Sequence, residues 1–429
     1  MATRTAHCGS LLSFRADPGD SDDAGSYDYW DRGALIVADG HIEAVGPAAE
    51  LLAGQTDLAV IDHGARLILP GFIDTHIHYP QTDIIAAGGR NLLDWLQRYA
   101  FPAEQQFADP AHARSVAEFF LDELLRNGTT TAQVLGTVHR GSIDAFFEAA
   151  TARHLRMIAG KTLMDRDSPP LLRDTAVEGE RDMRELIATW HGRDRLHYAM
   201  TVRFALTSST AQLESTGRMA REFPDVFIHS HLAENTDEVA AVRALFPKDR
   251  SYLSVYDRFG LLRERATYAH CIYLDEADRR RMADSGAGAA FCPSSNLYLG
   301  SGLFDLAASD AAGMRYALAT DVGGGSSFSM LRTMGEAYKV AQLQGTPLSP
   351  LRAFYLATLA GARMLRLSDR IGRFAPGMEA DFIVLDPEAT PLLARRMQQS
   401  PTLTERLQLY MILGDDRAVA STYILGVPA

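Results

Sequence analysis

The chain has 429 residues, with 54 Asp and Glu against 42 Lys and Arg and a formal net charge of −12. That balance argues against a nucleic-acid phosphate backbone as partner, because surfaces that bind one are basic, but it is compatible with a small neutral substrate. Hydrophobic residues at 47% and charged residues at 22% are ordinary for a globular protein, and the length suits one large barrel with a smaller domain or two to three ordinary domains.

Residues 1–68 read as strands and turns. Gly33–Ala38 and Ile42–Gly46 form two apolar runs joined by Asp39-Gly40, a hairpin signal, and the acidic stretch Asp17–Ser26 reads as a loop. A long alternation follows, with strand candidates Ile68–His78, Thr129–Gly136, Arg156–Met164, Leu196–Leu206, Val226–Ala233, Ala266–Leu274, Gly288–Ser294 and Arg315–Thr320. Helix-length amphipathic segments such as Pro110–Arg126 and Arg181–Trp190 separate them. Repeated β-then-α units predict an α/β (β/α)8 TIM-type barrel over 69–368. An open doubly wound sheet is the rival, but it calls for an early Gly-rich phosphate loop that is missing here. Gly323-Gly324-Gly325, after the last strand, reads as a tight turn rather than a phosphate site. Strand-like runs return at Asp381–Asp386 and Ser421–Val427, so 1–68 and 369–429 are expected to form one small β-sandwich domain. Cys8, Cys271 and Cys292 form no CxxC and leave an odd thiol, which predicts a reducing compartment. No apolar run approaches the roughly 20 residues a bilayer span needs, and no secretory leader is visible. The expectation is a cytoplasmic protein without a membrane partner.

In a barrel of this kind chemistry sits at the C-terminal ends of the strands. His76 and His78 close the first strand at spacing two, so their rings project to one face. His231 ends the fifth strand, His270 the sixth and Asp321 the eighth. Three neutral imidazoles, His76, His78 and His231, with the Asp321 carboxylate make a set suited to Zn²⁺ or Fe²⁺, one ion per subunit, with a position left for water. A divalent cation lowers the pKa of such a water to near neutrality. Asp321 is then expected to accept its proton, Glu234 to shuttle protons from the loop after the fifth strand, and His270 to hold the attacking oxygen or polarise the reacting group. His229 lies one layer deeper and reads as a packed histidine rather than a ligand. Lys161 raises the option of a carbamylated bridge between two metals, but Arg203 on the fourth strand favours a single ion.

These residues together resemble the amidohydrolase superfamily. The broad motifs are Pro70-Gly71-Phe72-Ile73-Asp74-Thr75-His76-Ile77-His78, His231-Leu232-Ala233-Glu234-Asn235 and Cys292-Pro293-Ser294-Ser295-Asn296. A narrower set is similar to guanine deaminases: Gln81, Leu92–Leu96, Tyr99–Glu104, Asn127–Ala132, Arg203-Phe204, Ser254–Asp257 and Leu413–Arg417. The resemblance implies metal ligands His76, His78, His231 and Asp321, and base contacts Gln81, Arg203, Phe204 and Glu234. Tyr79-Pro80 restricts the loop between His78 and Gln81. The implied activity is hydrolysis of guanine and water to xanthine and ammonia, in a homodimer. The rivals are deamination of another aminated heterocycle (an adenosine derivative, pterin or triazine) and a metal-free binding or scaffold barrel.

Overall fold

The computed structural model describes residues 4–429. Two sheets organise it. The terminal segments form one seven-stranded mixed sheet rather than two facing sheets, with Ala59–Pro70 between Thr5–Phe14 and Phe382–Leu385. Alternation along its strands gives the sheet two apolar faces. Leu35 and Val37 join a cluster with Ile68, Phe382 and Val384, whereas Ala34 and Ile36 join another with Ala6 and Cys8. The Asp39-Gly40 turn joins Tyr27–Ala38 to His41–Pro47 in an antiparallel pair. Both turn residues have positive φ, 51° and 77°, which suits Asp-Gly.

The run Ile68–His78 is two strands, not one. Leu69 and Pro70 pair with Ile383 and Phe382 in the terminal sheet, and Phe72–His78 begins the second sheet. Gly71 marks the passage because a Cβ there would stand 2.1 Å from Thr130 Oγ1.

The second sheet is the barrel. Its strands are Phe72–His78, Thr129–Leu135, Arg156–Gly160, His197–Val202, Phe227–Leu232, Ala266–His270, Gly288–Phe291 and Arg315–Leu318, with the two-residue Thr162–Leu163 beside the fourth. The pairings from the third strand to the eighth are parallel. The last strand returns to the first through short contacts. His76 carbonyl accepts from Asp321 N–H at 3.0 Å, Val322 carbonyl accepts from His78 N–H at 2.9 Å, and Thr75 hydroxyl donates to Leu318 carbonyl at 3.0 Å. All of Phe72–His78 is buried, as expected of a parallel strand covered on both faces.

The helix expected at Pro110–Arg126 has those bounds. The one expected from Arg181 begins earlier, at Ala176, because Thr175 and Glu178 form a capping box that the polar run 178–181 obscures in sequence. By contact density the chain divides into two compact units. One gathers the N-terminal stretch to Ile73, Glu123–Thr131 and Ser329–Ala429; the other holds Asp74–Asp122 and Ala132–Phe328. Every residue of the candidate site belongs to the second unit. Among the described residues no helix is long and apolar enough to cross a membrane.

Candidate active site

Parallel strands end together, so their C-terminal residues converge. His76 Nε2 lies 3.2 Å from His78 Nε2 and 3.1 Å from Asp321 Oδ1. His78 Nε2 is 3.1 Å from His231 Nε2 and 3.4 Å from Asp321 Oδ1. A neutral ring nitrogen carries at most one proton, so His78 Nε2 cannot satisfy three such neighbours by hydrogen bonding. Ligand atoms about 2.0–2.2 Å from a tetrahedral ion stand at similar mutual separations. The donor set therefore fits one divalent cation.

The outer nitrogens support that reading. His231 Nδ1 donates to the Arg203 carbonyl at 2.6 Å, which leaves the Nε2 lone pair facing the cluster. His76 Nδ1 lies 2.8 Å from His229 Nε2. Burial lowers His76 to about 4 and keeps His229 and His231 well below the usual imidazole range, so all three are neutral. Burial acts to raise the Asp321 carboxyl, but the facing His76 and His78 rings outweigh it and hold it well below the usual carboxylate range.

Distance alone also groups His270 with His76, His231 and Asp321, their ligand atoms lying within 4.8 Å of one another. Its charged neighbours differ from those of the other rings. Burial opposes protonation of His270, but Glu234 and Asp321 outweigh it and raise its pKa. Its Nδ1 lies 2.9 Å from Asn296 Oδ1, and its Nε2 faces Glu234 Oε2 at 3.4 Å and Asp321 Oδ2 at 3.8 Å. His78 Nε2, at 3.2 Å from His76 Nε2, 3.1 Å from His231 Nε2 and 3.4 Å from Asp321 Oδ1, sits in the tighter group, with His270 Nε2 at its edge. His270 Nε2 has no direct hydrogen-bond partner and faces the two carboxylates.

The backbone bends sharply where these groups emerge. Ala233, His270, Cys271 and Asp321 all have φ between 51° and 71°, a conformation L residues rarely adopt and functional sites often hold. The bend at Ala233 places Glu234 beside Ser301, whose hydroxyl donates to Glu234 Oε1 at 3.0 Å, and beside His270. Burial raises the Glu234 carboxyl to about 7, a value suited to giving and taking protons near neutrality.

A pocket opens over the cluster. Gln81, Arg203, Glu234, His270 and Asp321 supply its polar groups, and Leu92, Trp95, Leu96, Phe204 and Leu299 its apolar wall. Phe204 packs with Leu92, Trp95 and Leu96 in one buried cluster. Gln81 sits on the short turn Tyr79–Ile84, two residues after His78's neighbour Tyr79, where Pro80 occupies an early helical position it tolerates. The triple glycine packs closely here. A Cβ on Gly323 would meet the Gln81 carbonyl at 2.6 Å, and one on Gly325 the Thr320 carbonyl at 1.8 Å.

The structure thus brings together all nine residues picked out in sequence: His76, His78, Gln81, Arg203, Phe204, His231, Glu234, His270 and Asp321. Lys161 is elsewhere in role, buried in an ion pair with Asp174 and 3.9 Å from Asp182. His229 packs in the interior and also orients His76. Four contributors had no role assigned from sequence: Glu104, Asn296, Ser301 and Gly323. Glu104 and Asn296 lie inside quoted motifs, where a charged or amide residue among apolar and small neighbours was the available signal. Nothing local marks Ser301.

The amidohydrolase family model matches residues 67–428. The guanine deaminase of Escherichia coli strain K12 is 48% identical over 395 residues, covering 92% of this chain and 90% of that protein. The solved structure of E. coli guanine deaminase superposes with a TM-score of 0.97 at 45% identity, over 99% of both chains. Guanine deaminase from C. acetobutylicum, solved with guanine bound in its active site, gives a TM-score of 0.89 at 26% identity, covering 99% of this chain and 100% of that one.

Proposed function

The chain belongs to the amidohydrolase family and within it to the guanine deaminases, metal-dependent hydrolases that convert guanine and water to xanthine and ammonia, and from that premise we propose how its residues divide the work. The observation that carries the proposal is the convergence of His76, His78, His231 and Asp321 beside Glu234 and His270, beneath a pocket walled by Phe204 and edged by Gln81 and Arg203.

His76, His78, His231 and Asp321 would hold a single divalent cation, Zn²⁺ or Fe²⁺, both of which three imidazoles and one carboxylate suit. When bound, it supplies a Lewis acid that orients and acidifies the attacking water. Gln81 offers a donor and an acceptor to the edge of the base, Arg203 donates to an exocyclic oxygen, and Phe204 covers a ring face. Glu234 protonates the ring nitrogen beside C2, which makes that carbon electrophilic. His270 directs its Nε2 proton toward the attacking oxygen and Asp321 takes the proton that the oxygen gives up. As C2=O forms and the C2–N bond breaks, a proton that the water has given up passes through Glu234 to the departing amine and ammonia leaves. The guanine seen in the C. acetobutylicum enzyme supports placing the base in this cavity. We further infer a homodimer, as the family resemblance implies, working in the reducing cytoplasm, as three cysteines without a CxxC suggest.

Guanine consumption measured with and without a chelator, alongside elemental analysis, tests the reading. Activity should vanish on metal removal and return with one equivalent of Zn²⁺. Full turnover by metal-free protein would refute it. A panel of aminated heterocycles followed by ammonia release checks the substrate, and inert guanine beside a consumed adenine nucleoside or triazine would overturn the assignment.

A further inference from the structure

Glu104 is fully buried on the short helix Phe101–Gln105. Its Oε1 accepts from Gln81 Nε2 at 3.0 Å and its Oε2 from Arg203 Nη1 at 2.6 Å. The far side of the Gln81 amide is fixed as well, since Gly323 N–H donates to Gln81 Oε1 at 3.2 Å. A backbone N–H can only donate and a carboxylate can only accept, so this chain of bonds permits one orientation of the amide. Gln81 keeps one Oε1 lone pair and one Nε2 proton in hand, and Arg203 keeps its remaining N–H groups. The Arg203 guanidinium also lies over the Phe101 ring, 5.3 Å from its centroid. Both partners of the Glu104–Arg203 ion pair are almost wholly removed from solvent.

We propose that Glu104 is a positioning residue that sets the pocket for a neutral purine: it holds Gln81 and Arg203 in one geometry and cancels the charge of the guanidinium. The proposal rests on the reading of Gln81 and Arg203 as base contacts. An unpaired guanidinium in a water-poor pocket would attract anionic heterocycles of the same shape. With Glu104 in place the pocket presents directional donors without net charge, which suits guanine and disfavours oxidised, anionic purines. Carboxylate reach and carboxylate charge are separable, and that separates a positioning role from a packing role.

The probes are guanine as substrate, and urate (an anion at neutral pH) against neutral hypoxanthine as inhibitors, with metal content measured throughout. In Glu104→Gln the amide brings an N–H where only an acceptor fits, and Arg203 loses its counter-charge. The KM for guanine should rise about tenfold or more, with kcat changing less. Inhibition by urate relative to hypoxanthine should strengthen by about tenfold, at unchanged metal content. In Glu104→Asp the charge remains but the side chain is too short to bridge both partners, so KM should rise while the urate-to-hypoxanthine ratio stays that of the parent. A parental KM and ratio in both variants, or a fall in kcat at unchanged KM, would overturn the proposal. Should Glu104→Gln fail to fold, Glu104→Asp decides, since a parental KM there overturns the positioning role. Gln81→Ala and Arg203→Ala separate the two levels of inference. If they too leave the guanine KM unchanged, the reading of base contacts falls and takes this proposal with it. If they raise KM and the Glu104 variants do not, only the role of Glu104 is refuted.

Discussion

Replacing Glu234 with Gln removes the proton shuttle while keeping the shape of the side chain. The amide oxygen still accepts from Ser301, and no ligand of the proposed metal set is changed. Positioned acid–base catalysis contributes on the order of 10²–10⁴-fold, so kcat should fall by that factor, about 3–5 kcal/mol of barrier. Stability should move the other way. Burial raises the Glu234 carboxyl from 4.5 to about 7. Between those values the unfolded chain has lost the proton and the folded chain retains it, so folding stability declines as pH rises through that window. The loss reaches on the order of 3 kcal/mol above pH 7, before any relief from a bound cation. The neutral amide escapes it, so the variant should be as stable as the parent at pH 5 and more stable at pH 8. Ultraviolet absorbance follows guanine turning into xanthine, elemental analysis gives metal content, and thermal melts at the two pH values give stability. A kcat within tenfold of the parent at full metal occupancy would refute the shuttle. A less stable variant at pH 8 would refute the cost assigned to the buried carboxylate.

The buried His229 ring touches His76 Nδ1, so His229→Leu should weaken metal affinity by about 10–100-fold while excess Zn²⁺ restores most of the activity; competition with a chromogenic chelator measures it, and unchanged affinity would reduce His229 to packing. In the terminal sheet, burial lowers His7 from its ordinary 6.5 to about 4 with His63 adding repulsion, and the folded state keeps it neutral. The unfolded chain therefore takes up this proton first on acidification, and stability should fall as pH drops from 6.5 towards 4, by up to about 3 kcal/mol; His7→Leu should flatten that slope in denaturant titrations. A Cβ on Gly160 would stand 1.8 Å from the Ala199 carbonyl in the neighbouring barrel strand. Neither strand backbone can yield, so Gly160→Ala should destabilise by about 2 kcal/mol or more, and a melting temperature within a degree of the parent would show that the strands part more easily than the packing suggests.

The alternation of strands and helices was legible because it depends on local periodicity, which each segment carries by itself. Strand ends were also legible: His76-Ile77-His78 must share a face, whatever surrounds it, since the side-chain period of a strand is two. His231 and Asp321 stand at the C-terminal ends of their own strands, which in a barrel lie at the same end as His76 and His78. The sequence did not reveal that Ile68–His78 breaks at Gly71, because the reason is Thr130, a neighbour brought close only by folding. The terminal strands were likewise recognisable one by one, whereas their union into one seven-stranded sheet depends on pairing between chain ends.

Residue type and period along the chain determined which groups could do chemistry and on which strand end each would stand. Tertiary structure decided what each of those groups touches. It set His270 against Glu234 and Asp321, which raise its pKa, turned His229 toward the back of His76, and joined Gln81, Glu104, Arg203 and Gly323 into one hydrogen-bonded chain across more than two hundred positions of sequence. The physical reason is range. Backbone periodicity acts over a few residues, while charge, burial and hydrogen-bond polarity depend on whichever neighbours the closed barrel supplies.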